Sequence, residues 1–152
     1  MPPSTQSTTP PPATAVDIRG AVRLHISFRP HPRRVEHMRR TAGTLLRQGG
    51  VCEEAIETVQ LLVSELVTNA VVHGRGECVR FSLSYDQTDE VLIEVDDHSP
   101  ARVVVEQPGP EEEHGRGMLL VATLARTWGR RGTCTWCTVG TQAFSTYKAG
   151  VR

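Results

Sequence analysis

The sequence predicts a two-layer α/β sandwich, a mixed but mostly antiparallel sheet with three helices on one of its faces. Two long segments repeat apolar residues at spacings of three and four, the period of an α-helix with one buried face. Shorter segments alternate apolar and polar residues, the period of a strand with one dry and one wet side. A closing hairpin around Gly132 completes the sheet. The 152 residues fall within the range of about 100 to 200 usual for one domain.

Residues 1–17 are Pro, Ser and Thr with almost nothing to bury, so they are expected to form a disordered tail ahead of a domain spanning 18–141. A polar tail is expected over 142–152. From Ala21 to Phe28, Val22, Leu24, Ile26 and Phe28 alternate with Ala21, Arg23, His25 and Ser27, which predicts the first sheet element. Pro30 and Pro32 stop it, and Pro32 suits the first turn of a helix. In RRVEHMRRTAGTLLRQ, Val35, Met38, Ala42, Leu45 and Leu46 share one face, and Gly49 and Gly50 end the helix with a left-handed cap. Arg33, Arg34, His37, Arg39 and Arg40 lie on its other face. A solvated surface accounts for such a run; a docking surface for an acidic protein partner is the sharper alternative.

The stretch from Cys52 to Gly74 organises the chain. Ala55, Val59, Leu62, Val63, Leu66 and Ala70 form a core-facing stripe. Glu65, Asn69 and His73 follow one another at intervals of four, so they drift only about 40° each around the helix and can face one cleft. Singly, each has a structural explanation: a solvated acid, a tolerated amide, a basic group favouring the helix C-terminus. Together they place a carboxylate, an amide and an imidazole along one apolar edge, which packing does not require. SELVTNAVVHG resembles the N-box of the Bergerat-fold ATPases, the GHKL superfamily, in its anti-sigma regulatory factor serine/threonine kinase branch. The resemblance implies the histidine kinase-like ATPase fold, with Glu65 as base or water-positioning group and Asn69 as the ligand of the magnesium ion that bridges ATP phosphates.

Gly74-Arg75-Gly76 follows a helix and is expected to be a C-cap and turn. Val79 to Tyr85 and Val91 to Val95 alternate as two strands of an antiparallel hairpin. Asp96-Asp97-His98-Ser99-Pro100 then stands where a strand ends. An Asx-type turn suits it, and so does an acid offered to a ligand at the sheet edge. VLIEVDDHSPA resembles the acid box that accepts the adenine amino group; Asp97 is the match and Asp96 its rival, with Ser99 and Ala101 where the superfamily has glycines. Residues 101–114 lack period, and the resemblance makes them the ATP lid, with Glu111, Glu112 and Glu113 turned to solvent or a basic partner. Gly115-Arg116-Gly117 is expected to open a helix running to about Thr127, where unpaired N–H groups can meet phosphate oxygens. GRGMLLVATLARTWG resembles the second glycine box of the branch, so Gly115, Arg116 and Gly117 join His73 and Asp97 as nucleotide-binding candidates. The superfamily threonine near adenine has Cys134 at its place, with Thr133 and Thr135 beside it, and is left unassigned.

Composition narrows the alternatives. Seventeen acidic and seventeen basic residues give no global field for nucleic acid or anionic membrane. No run of about 18 apolar residues and no apolar leader core are present, which reads as a soluble, cytoplasmic protein. Cys134 and Cys137 are three apart in a Thr-rich strand, where they point to opposite faces, so thiols in a sheet are favoured over zinc or a redox pair. No P-loop motif is present. What the resemblance implies is an ATP- and magnesium-dependent kinase that phosphorylates an anti-sigma antagonist and sequesters a sigma factor, with a homodimer usual for the family. A nucleotide-dependent protein-binding module with little or no kinase activity is the alternative.

Overall fold

The computed structural model describes residues 14–16, 21–98 and 113–142. Alternating side chains build its sheet from β1 (Thr14–Val16), β2 (Val22–Phe28), β3 (Val79–Tyr85), β4 (Glu90–Asp96), β5 (Thr127–Arg131) and β6 (Cys134–Gly140). The strands lie in the order β1-β2-β3-β4-β6-β5, and every described neighbour is antiparallel rather than mixed. Register follows the alternation. Leu24 pairs with Leu83 and Leu83 with Ile93, and Ile93 pairs in turn with Cys137. All four are buried on the face that the helices cover.

Three helices, α1 (Arg33–Gln48), α2 (Glu53–His73) and α3 (Glu113–Leu124), pack on that face. The expected stripe of α1 is buried at Met38, Ala42, Leu45 and Leu46. Its end is closed by the Gly49 N–H donating to the Leu45 carbonyl at 2.9 Å, and Gly50 takes the left-handed φ of 82°. Arg47 then forks onto Glu53 at 2.7 and 3.2 Å, tying the end of α1 to the start of α2. In α2 the expected stripe is widened by Ile56 and Val67. This helix is long and apolar enough to cross a bilayer, yet most of its apolar side chains form the central core of the sandwich, with Leu61 and Val72 exposed.

Two boundaries differ from expectation. Thr14–Val16, inside the stretch expected to be a tail, pairs with Val22 to Leu24 at the sheet edge; backbone ladder bonds form there irrespective of side-chain composition. The third helix runs Glu113–Leu124 and stops short of Thr127, which begins β5 instead. The Arg126 N–H donates to the Thr138 carbonyl at 2.8 Å, and Thr127 shares a 2.7 Å hydroxyl bond with Thr138. Sheet pairing thereby ends the helix.

Cys137 faces the core, and burial pushes its thiol up to about 12. Cys134 is half-buried and raised by burial and by Glu94 and Asp96, whereas Cys52 is exposed. The thiolate is the reactive form, so iodoacetamide near pH 8 is expected to modify Cys52 and leave Cys137 intact until the protein is unfolded, as read by peptide mass mapping.

Candidate functional site

The second half of α2, the end of β4 and the first turns of α3 meet at one end of the sandwich. Glu65 and Asn69 are half-buried on α2. They face Gly117 of α3: a Cβ placed on that glycine would stand 2.6 Å from Glu65 Oε2 and 3.7 Å from both Asn69 side-chain heteroatoms. The missing side chain therefore lets α3 approach the carboxylate and the amide together. His73, the third member of the expected series, lies exposed at the last residue of α2.

The expected position of the glycine box needs correcting. The helix starts at Glu113, so Gly115-Arg116-Gly117 lies inside it rather than ahead of it. Gly115 is the third residue, in the first turn, where an N–H has no acceptor within the helix. Gly117 is two residues further on and its amide belongs to the ladder. Its role is close approach to Glu65 rather than donation. The side chain of Arg116 and the segment 99–112, with the lid and with Glu111 and Glu112, lie outside the described residues.

The two aspartates at the end of β4 part company. Asp96 Oδ1 accepts the Thr133 hydroxyl at 2.6 Å and the His98 N–H at 2.8 Å. The second bond closes the Asx-type turn, which lets His98 adopt a φ of 51°. Burial pushes the Asp96 carboxyl up, but the Thr133 hydroxyl, the His98 N–H and the charges of His98 and Arg80 outweigh it and hold the carboxyl below its ordinary value. The neighbouring Asp97 turns toward the helices. Its side chain is only 14% exposed, with Arg130 Nη2 at 3.8 Å from Oδ1, and its N–H donates to the Thr133 carbonyl at 3.3 Å. Asp96 thus carries the turn, and Asp97 lies beside Gly74 at the C-terminal end of α2.

Gly74 and Gly76 hold Asp97 there. Gly74 caps α2 through its N–H to the Ala70 carbonyl at 3.0 Å, but in an extended conformation, φ −65° and ψ 142°, which any residue adopts. The glycines are needed for space: a Cβ on Gly74 would lie 3.1 Å from Asp97 Cβ, and one on Gly76 would lie 2.3 Å from the Asp97 carbonyl oxygen. Sequence reasoning found the Gly74 cap but not the room that the pair leaves for Asp97. It also missed Arg130 and the Thr133 anchor, which no local pattern marks because their partners are more than thirty residues away.

Asp96 makes a pH test. A carboxyl whose folded value is depressed contributes stability that is complete above its unfolded value and is lost as pH falls through the folded one. Thr133→Val removes a bond made only to the carboxylate. Its Asp96 titration, followed by carbon NMR, is expected to move upward toward the ordinary 3.8, and the stability lost between neutral pH and about pH 2 is expected to shrink.

Asn69 and Glu65 supply oxygen donors of the hard type that magnesium prefers, side by side against the backbone of Gly117. The donor set therefore fits a magnesium-bound phosphate group. The family model described as the histidine kinase-like ATPase domain matches residues 28–139 of this chain. That match runs from the last residue of β2 to β6 and contains every residue of the site described above. A search among curated proteins gives no match.

Proposed function

The chain belongs to the histidine kinase-like ATPase domain family, within the GHKL-type ATPase superfamily, and from that premise we propose that it binds ATP and works as a regulatory protein kinase of the anti-sigma type. The reading is carried by the apposition of Glu65 and Asn69 with Gly117, which brings an acid, an amide and a side-chain-free helix turn together. Asp97 on the far side of the α2 C-terminus suits the adenine amino group, an N–H donor that a carboxylate accepts. Asn69 would hold magnesium, which when bound neutralises charge on the phosphates. The N–H of Gly115, in the first turn of α3, suits a phosphate oxygen, and the same role is assigned to Arg116 on its fork of donors.

Chemistry in such a site is mostly positioning. Glu65 is placed to accept the proton of a serine or threonine hydroxyl brought beside the terminal phosphate. The proton passes to the carboxylate, the hydroxyl oxygen bonds to phosphorus, and the bond to the ADP oxygen breaks. The protein substrate proposed is an anti-sigma antagonist, with a sigma factor as the sequestered partner and a homodimer as the assembly. These assignments rest on the resemblance of SELVTNAVVHG, VLIEVDDHSPA and GRGMLLVATLARTWG to that branch.

The test is transfer of label from γ-labelled ATP with magnesium to a purified antagonist protein, comparing wild type with Glu65→Gln. Label transfer in wild type and a fall of about a hundredfold or more in the variant, the scale of a general base, is the expected result. Calorimetry that detects no uptake of ATP or ADP by the wild type overturns the proposal. Uptake that is retained with no transfer in either protein leaves a nucleotide-dependent binding module in its place.

A further inference from the structure

A second feature at the same end of the sheet is not used by the nucleotide site. Arg29, His31, Arg33, Arg34 and His37 line an open recess of about 510 Å³ between the end of β2 and the first turns of α1. Every side chain lining it is a hydrogen-bond donor. The Arg33 N–H donates to His31 Nδ1 at 3.1 Å, and Arg34 Nη1 donates to His37 Nδ1 at 3.4 Å. A backbone N–H and a guanidinium can only donate, so each Nδ1 is an acceptor and each ring carries its N–H at Nε2.

The positive charge of the recess is also uncompensated. Among the described residues no ion pair reaches Arg29, Arg33 or Arg34. Glu36, the nearest acid in the sequence, is held by Arg40 at 2.7 Å and Arg39 at 3.9 Å on another part of the helix. Arg34 is fixed from two sides, by His37 and by the Phe28 ring, whose centroid lies 5.7 Å from the guanidinium carbon. A donor-only, cationic recess is complementary to carboxylates.

We infer that this recess docks an acidic segment of a protein partner, its Asp and Glu side chains entering between Arg29, Arg33 and Arg34. The recess and the ATP site share one end of the fold: Phe28 pairs with Val79, the next residue Arg80 pairs with Asp96, and Asp97 follows. A partner held here is therefore held at the end where Asp97 is presented. That the docked protein is also the phosphoacceptor rests on the kinase reading given above.

The experiment is fluorescence anisotropy of the full chain with a labelled peptide of alternating Glu and Ser, against the same peptide with Gln for Glu. The Glu peptide is expected to bind, the Gln peptide to fail, and the affinity to fall as salt rises. The double variant Arg29→Glu/Arg33→Glu is expected to lose about tenfold or more, because several exposed pairs turn from attraction to repulsion. The control Arg40→Glu, on the same helix but outside the recess, is expected to change binding less than twofold. Equal losses in the two variants overturn the inference, and so does a single-stranded DNA of the same charge that binds more tightly than the Glu peptide. Asn69→Ala separates the two proposals. Peptide binding that survives in that variant keeps the recess independent of the nucleotide site, and loss of peptide binding there overturns it.

Discussion

Gly76→Ala is expected to lower stability by about 1 to 3 kcal/mol, the usual cost of overpacking a tight contact, and to weaken ATP binding in the same variant. The added methyl group would meet the Asp97 carbonyl oxygen at 2.3 Å and His98 Cβ at 3.1 Å. A backbone oxygen cannot rotate aside. Either the loop after α2 moves or the end of β4 does, and both movements displace Asp97. Against a total of about 5 to 15 kcal/mol for a domain, the loss is visible as a lower urea midpoint with an unchanged slope. Gly50→Ala is the control. It is strained by its φ of 82° but meets nothing within 4 Å, so it is expected to cost stability without touching nucleotide affinity. A Gly76→Ala protein with the wild-type midpoint and wild-type ATP titration would show that the approach is looser than the distances state.

Gly117→Ala is expected to do the reverse, sparing the fold and damaging the chemistry. Here the methyl group meets the far end of a flexible side chain, Glu65 Oε2 at 2.6 Å. The carboxylate can swing away at little cost to the fold. Alanine also replaces glycine inside a helix, which is worth about 1 kcal/mol in favour of the variant. The unfolding midpoint is therefore expected to stay level or rise. On the proposed role of Glu65 as base, transfer of phosphate is expected to fall by about tenfold or more, since a displaced base loses much of the hundredfold or greater effect such a group supplies. A variant that is both stable and fully active would remove Glu65 from the mechanism, whereas one that is unstable would show that Glu65 cannot yield.

The local sequence determined the elements. Val22, Leu24 and Phe28, or Phe81, Leu83 and Ile93, are placed by alternation alone, because a strand turns every second side chain to the core. The α2 stripe and the pairing of Glu65 with Asn69 on one helix edge follow from 3.6 residues per turn in the same way. Both are short-range properties, fixed by what lies within four residues. Tertiary structure decided what those elements meet: that Gly117 sits inside a helix and against Glu65, that Gly74 and Gly76 lie where a Cβ would crowd Asp97, and that Asp96 is claimed by Thr133 while Asp97 lies beside Gly74 and Arg130. The same is true of the end of α3, which sheet pairing at Thr127 and Thr138 fixes three residues before its periodicity runs out. Each of these depends on a contact between residues more than ten positions apart, and such a contact leaves no periodic trace in the chain because its partner belongs to another element.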